Sequence, residues 1–263
     1  MSRAKEVVPG IWLVGCGSWG GFNEILSAEG SSNVFLAGGE GEFILIDAGT
    51  AGAVDALLEN CESVGASPRS IKTVILTHSH GDHASGAQLL VDKTGAKLAA
   101  SDIVARALGG DAKAASALNM RSDGREPPLR VDIVLGEGDT VAAGPWTLSA
   151  MLTPGHIPGS VTLAGKVGGL EALFTGDSAI GDQGRMKGVV GWLDGHWGSN
   201  PHHMLASIAK MRRRKADLLL PGHGLPIVGK RSVGVSLNHC ARRLKRLLAI
   251  PDLGSMMMLD LSP

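Results

Sequence analysis

The chain has 263 residues, 44% apolar and 19% charged, a composition that buries a sizeable core and excludes a disordered chain. Lys+Arg and Asp+Glu balance at 25 each, so the chain as a whole lacks the basic excess of a protein that tracks nucleic acid. Three cysteines, Cys16, Cys61 and Cys240, lie far apart with no CxxC pair, which argues against a disulfide framework. The N-terminus carries charges but no apolar signal region, and no run approaches the roughly 18 apolar residues of a membrane span, so the expectation is a cytoplasmic protein with neither membrane nor nucleic acid as partner.

In chain order, residues 11–14 read as a short strand. Residues 33–37 and 43–47 are two β-rich runs joined by Gly38-Gly39-Glu40-Gly41, a hairpin pattern. Val54, Leu57, Leu58, Cys61 and Val64 then recur at helical spacing, with Thr50 the expected N-cap and Gly65 the expected stop. Residues 73–76 are a buried-type strand that runs straight into a polar cluster, after which 84–91 read as one helix. A strand over 97–100 and a helix over 101–108 follow. Residues 111–130 start helix-like and end in a Pro-Pro loop. Strands are expected near 133–135, 146–152, 160–164 and 171–174, then a glycine-rich loop over 176–199. Pro201 opens a helix to 214, residues 217–220 form a last strand, and Val233, Leu237, Cys240, Leu244, Leu247 and Leu248 mark one face of a final helix. The basic run 210–215 reads as the solvated face of its helix.

The informative segment is Thr77-His78-Ser79-His80-Gly81-Asp82-His83. It holds three of the nine histidines and a carboxylate, directly after an apolar strand. Imidazole nitrogen and carboxylate oxygen are ligands that zinc takes in catalytic sites. In an extended segment His78 and His80 point to one side, while Asp82 and His83 fall where the chain turns into a helix and can face a second position. Three later segments repeat one pattern, a strand running into a tight turn that ends in a ligand-type side chain: His156 in Thr-Pro-Gly-His, Asp177 in Thr-Gly-Asp, and His223 in Pro-Gly-His-Gly.

This ordered set resembles the metallo-β-lactamase superfamily, over residues 7–228. The resemblance implies an α/β fold, an αβ/βα four-layer sandwich of two mixed sheets flanked by helices, with residues 1–263 forming one metallo-hydrolase domain and 232–250 a C-terminal helix. It assigns His78, His80 and His156 to one metal and Asp82, His83 and His223 to another, with Asp177 bridging them. Two divalent ions, zinc the expected species, about 3.5–4 Å apart would hold a hydroxide that attacks an ester, lactone or thioester, with Asp82 orienting it. Departures from relatives narrow the choice. Asp177 and the lack of a signal disfavour a secreted β-lactamase. An intact His80 disfavours the flavin-linked di-iron branch. The absence of tyrosine disfavours the quorum-signal lactonases, and the 40 residues after His223 leave no room for a full glutathione-gripping domain. A phosphodiesterase, a β-lactamase-like activity and a mononuclear iron sulfur dioxygenase remain alternatives, as does a non-catalytic binding protein.

Expectations for the surroundings of the metals are looser. Trp19 and Phe22, in the loop 15–22, would form an apolar wall for a small-molecule substrate. In the loop 176–199, Arg185 and Lys187 would meet a substrate carboxylate, Trp192 and Trp197 would add aromatic surface, and His196 would donate a hydrogen bond in place of the missing tyrosine. The apolar tail tip Met256-Met257-Met258 is a surface that a second copy, in a homodimer, could cover.

Overall fold

A computed structural model describes residues 4–17, 25–118, 120, 128–181 and 188–250. Its strands form two mixed sheets. The first takes seven strands in chain order: β1 (Lys5–Val8), β2 (Ile11–Gly15), β3 (Val34–Gly39), β4 (Glu42–Ile46), β5 (Ile71–Ile75), β6 (Lys97–Ser101) and β7 (Ile133–Leu135). The second takes six, in the order β13 (Ile227–Val228), β12 (Leu218–Pro221), β11 (Leu170–Gly176), β10 (Val161–Val167), β9 (Trp146–Leu152) and β8 (Thr140–Ala143). The expected hairpin is β3–β4, antiparallel with Gly39 opposite Glu42, so the turn itself is only Glu40-Gly41.

Alternation along each strand explains the layering. In β3 and β4, Phe35, Ala37, Ile44 and Ile46 face the second sheet, whereas Val34, Leu36, Phe43 and Leu45 face outward into a helical layer. In β12, Leu218 and Leu220 point inward and Leu219 outward. Strands buried on both faces read as unbroken apolar runs, which is why they were legible. Between the sheets Phe35 meets Phe174 edge-on, ring centroids 5.8 Å apart. Truncating a buried ring of this kind costs about 3–5 kcal/mol.

Helices α1 (Val54–Ser63), α2 (Gly81–Ala84), α3 (Ala87–Thr94), α4 (Asp102–Leu108) and α5 (Ala112–Ala117) belong to the first half of the chain, and α1, α3, α4 and α5 cover the first sheet. Helices α6 (Pro201–Arg213) and α7 (Lys230–Leu248) cover the second. The result is the four-layer α/β sandwich.

Several local expectations change. The single helix over 84–91 is broken into α2 and α3, because Gly86 donates its N–H to Gly49 O and sits so close to the Ala48 carbonyl that a Cβ there would lie 2.3 Å from its oxygen. Thr50 precedes a 3₁₀ turn, Ala51–Ala53, and makes no side-chain cap; α1 starts from that turn instead. Helix α5 is capped by Asp111, whose Oδ1 accepts from the N–H groups of Lys113 and Ala114. Helix α6 starts at Pro201 as expected, with Asn200 Oδ1 accepting from the N–H groups of His202 and His203.

Candidate metal centre

Every ligand-type side chain singled out in the sequence sits where a strand ends. β5 runs into Thr77–His83, β9 into the turn of His156, β11 into Asp177 and β12 into the turn of His223. The parallel pairing of β11 with β12 carries Asp177 and His223 to the same edge of the second sheet. The two sheets are stitched at this edge. Asn33 donates Nδ2–H to the carbonyls of both Pro221 and Gly224 at 2.9 Å, its N–H bonds Gly222 O at 2.7 Å, and Ser32 N–H bonds Asp82 O at 3.1 Å.

Two groups result. His78, His80, His156 and Asp177 each bring one ligand atom within 4.8 Å of the others, and Asp82, His83 and His223 do the same. In the first, His80 Nδ1 lies 3.1 Å from His78 Nε2 and 2.9 Å from His156 Nε2. In the second, His223 Nε2 lies 3.0 Å from Asp82 Oδ2 and 3.4 Å from His83 Nε2. The Asp177 carboxylate lies between the groups, Oδ1 at 3.5 Å from His83 Nε2 and Oδ2 at 3.5 Å from His156 Nε2 and 3.6 Å from His223 Nε2. Gly222 keeps this space clear, since a Cβ there would stand 2.5 Å from Asp177 Oδ1 and from the His83 ring.

The electrostatics separate the groups. Burial pushes His78 well below its ordinary range, and His83 reinforces the shift. Burial with the neighbouring His156 takes His80 down to about 4, and burial likewise lowers His156. Burial thus favours the neutral form of all three imidazoles. Burial opposes a charge on His83 too, but the carboxylates of Asp47, Asp82 and Asp177 outweigh it and hold His83 well above its ordinary value. Burial likewise works against the charged forms of Asp177 and Asp82, yet the surrounding imidazoles keep both carboxyls ionised, Asp177 well below its usual range.

This donor set fits divalent ions. Three imidazole nitrogens, His78 Nε2, His80 Nδ1 and His156 Nε2, converge within hydrogen-bond distance of one another, an arrangement that one ion would satisfy in place of a shared proton. Asp177, 4% exposed, keeps Oδ1 without a hydrogen bond, its nearest charged neighbour being His83 Nε2 at 3.5 Å, and a divalent ion fits the lone pairs this leaves open. The outer partners are those that ligating histidines use. His156 Nδ1 lies 2.7 Å from Trp192 O, and Ser199 Oγ donates to His156 O. His83 Nδ1 lies 2.8 Å from Asp47 Oδ2, while Asp47 also accepts from Thr77 N–H at 2.7 Å and Thr77 Oγ1–H at 2.9 Å.

Of the remaining predicted residues, Trp192 is half-buried with its ring 6.1 Å from that of His223. The His196 side chain is 82% exposed and bonded through Nδ1 to Asp194 Oδ1 at 3.0 Å. Trp19, Phe22, Arg185, Lys187 and the Met256–258 tail lie outside the described residues. Three residues emerge that the sequence reading gave no role. Asp47 closes β4 in a left-handed conformation, φ 66°, in front of an Ala-Gly turn, and that position was its signal. Asn33 left none, because it acts on carbonyls 188 and 191 positions away. Ser199, at the end of the loop whose Arg185, Lys187, Trp192, His196 and Trp197 drew notice, left none either.

Residues 28–223 match the sequence profile of the metallo-beta-lactamase superfamily. The chain belongs to that superfamily. It is 27% identical over 222 residues to a beta-lactamase-like protein 2 homolog of Caenorhabditis elegans, covering 83% of this chain and 65% of the relative. It is 30% identical over 184 residues to a hydroxyacylglutathione hydrolase of Cereibacter sphaeroides, covering 70% of this chain and 58% of the relative. The chain thus spans under two thirds of the length of these curated relatives. Among solved structures, the FEZ-1 metallo-beta-lactamase from Legionella gormanii superposes with a TM-score of 0.71 at 21% identity, covering 93% of this chain and 95% of the other, a likeness of fold. Superfamily membership and the clustered His and Asp side chains make this a metallo-hydrolase fold with residues positioned to bind metal. No helix among the described residues is long and apolar enough to cross a membrane.

Proposed function

We propose that this chain is a dinuclear metal-dependent hydrolase of a carboxylic ester, lactone or thioester, working as one domain that α7 closes. The observation that carries the reading is the position of Asp177, one buried carboxylate within reach of imidazoles from both groups. His78, His80 and His156 would hold one ion, Asp82, His83 and His223 the other, and Asp177 both. Two divalent ions, when bound, would acidify a shared water and draw charge from the substrate's acyl oxygen.

The chain's own residues supply the rest. Asp82 is 28% exposed and ionised; its Oδ2 faces His83 and His223, which leaves Oδ1 to accept the proton of the attacking water. Trp197, half-buried, packs its ring 4.6 Å from that of His80, on the side of the first group. Trp192 lies on the side of the second. A substrate held between the two indoles has apolar surface at both ends and water excluded from its centre. His196 is the candidate hydrogen-bond donor at the rim, oriented by Asp194. The relative named for hydrolysing hydroxyacylglutathione favours an acyl thioester within this class.

Metal analysis of the purified protein, run beside a panel of aryl esters, lactones, thioesters, phosphodiesters and a chromogenic β-lactam, tests the reading. The expected outcome is about two divalent ions per chain, as a bridged site takes, and a dominant rate on an acyl substrate. One tightly held iron with no second ion would replace it by the sulfur dioxygenase, and a dominant phosphodiester rate by the phosphodiesterase.

A further inference from the structure

The chain's formal charge is zero, yet its two helical layers are not alike. Residues 201–250, which include α6 and α7, contain eleven Lys and Arg and one acid, Asp217. On the opposite layer α1 exposes Asp55, Glu59 and Glu62. The opposite layer, residues 54–117, is near balance with six Lys and Arg against seven acids, and the acids that offset residues 201–250 are spread over the rest of the chain.

Helix α7 concentrates the effect. Val233, Leu237, Cys240, Leu244 and Leu247 are buried against the second sheet and α6. The opposite stripe, Arg231, Val235, Asn238, Arg242, Lys245, Arg246 and Ala249, follows i, i+4, i+7, i+11, i+14, i+15 and i+18, and every member is exposed. It runs about 27 Å along the helix. Elsewhere on this layer Lys210 pairs with Glu137 and Arg214 with Glu171, but none of the four cations of the stripe meets an acid among the described residues. A solvated helix face normally mixes signs; this one does not.

Apolar side chains are exposed on the same face. Of the seven large hydrophobic residues exposed among the described residues, Val228, Val235 and Ile250 belong to this segment, at 55%, 41% and 51% exposure. Val228 and Val235 line a cavity of about 310 Å³ between β13 and the first turns of α7, with Arg231 among its walls. Residues 201–250 contain no Phe, Trp or Tyr, so the face has no ring on which a nucleic-acid base could stack. Cations interleaved with exposed aliphatic groups fit a surface that is anionic and apolar beneath, a phospholipid bilayer rich in acidic headgroups.

We infer that the outer face of α7, with the β13 cavity beside it, docks the protein peripherally on an anionic phospholipid surface. The cations meet headgroup phosphates and carboxylates, and Val228 and Val235 reach toward the acyl boundary. Binding of this kind is screened by salt.

The test is co-sedimentation of the full chain with vesicles of phosphatidylcholine containing about 30% phosphatidylserine, at about 50 mM salt, where each surface cation is worth about fivefold in partition. Sedimentation is expected with these vesicles and not with pure phosphatidylcholine, and is expected to vanish near 0.5 M salt, where the Debye length is down to a few Å. The triple variant Arg242→Glu, Lys245→Glu, Arg246→Glu should lose at least about a hundredfold in partition. All three side chains are solvent-facing, so its circular dichroism and metal content should match the parent. Val235→Asn should weaken vesicle binding severalfold and leave retention on a heparin column unchanged. The inference is overturned if the parent stays in the supernatant, if the triple variant binds equally well, or if a duplex oligonucleotide competes the protein off the vesicles and Val235→Asn has no effect. None of these readouts depends on hydrolysis, so it stands or falls separately from the proposed activity.

Discussion

The two ligand groups use the same side chains and are held in different ways. The first, His78, His80, His156 and Asp177, is fixed by burial and ring contact: its imidazoles are driven neutral by desolvation, and Trp197 packs against two of them. The second, Asp82, His83 and His223, has an ionised outer partner, Asp47 on His83, and Asn33 clamping the His223 turn, whereas the outer partners of the first are neutral, Trp192 O on His156 and Thr77 Oγ1 on His78. Asp177 is the point they share. The contrast teaches that packing changes at Trp197 should reach the first group, loss of the Asp47 charge chiefly the second, and loss of the shared carboxylate both equally.

The largest expected effect follows from that shared point. Asp177→Ala removes the one carboxylate near both groups and would leave the charges of two bound ions facing each other. Metal content should fall at both sites, and hydrolysis should drop by more than the roughly hundredfold that loss of an outer partner costs. Elemental analysis with rate measurement checks it; a near-parent rate would mean that the groups are independent and Asp177 is an ordinary turn residue.

Asp47→Asn separates them. Asparagine tolerates the left-handed φ of 66° at this position, so the backbone need not move. The charge that orients His83 is lost. A stepwise cobalt titration should show the second site weakened by about 10–100-fold and the first, which Asp47 reaches only through Thr77 and His78, weakened less. Equal weakening of both sites would break the distinction between a group with an ionised outer partner and one with neutral partners.

How much of this was legible in advance depends on the range over which each residue acts. All seven proposed ligands announce themselves, because each is a polar side chain at the end of an apolar strand. β7 and β9 span the residues expected of them. What escaped acts through long-range pairing. β13 is two residues long and exists only because Leu218 and Leu219 pair with it. β1 begins with exposed Lys5 and Glu6 at a sheet edge, with no apolar pattern to reveal it. The break between α2 and α3 is imposed by the Ala48 carbonyl, 38 positions before Gly86. Asn33 looked like the start of a strand and is a clamp between sheets.

A smaller effect probes the packing side of the contrast. Trp197→Ala removes the ring against His80 and His156 while leaving every outer hydrogen bond of the second group intact. Apolar contact is shared by substrate and transition state, so KM should rise about tenfold on the best acyl substrate with little change in kcat. A fall in kcat with loss of one metal ion would show that the indole positions ligands and does not line the substrate cleft.

The smallest effect is expected at the rim. His196 neighbours Trp197 in sequence but not in environment: its ring is exposed, and Asp194 holds it from one side through Nδ1. With Nδ1–H given to the Asp194 carboxylate, Nε2 donates to a substrate oxygen from the imidazolium form of the ring. A hydrogen bond made in such exposure competes with water and is worth about 1 kcal/mol, roughly fivefold in rate. His196→Ala should therefore lower kcat by about that factor, leave KM nearly constant and leave both metal ions in place, because the bond strengthens only as charge builds on the substrate. Asp194→Asn should mimic it more weakly, since it removes the charge that orients the ring and leaves the ring itself. If His196→Ala matches the parent in both constants, the donor lies elsewhere and the two ligand groups meet their substrate without help from this loop's tip.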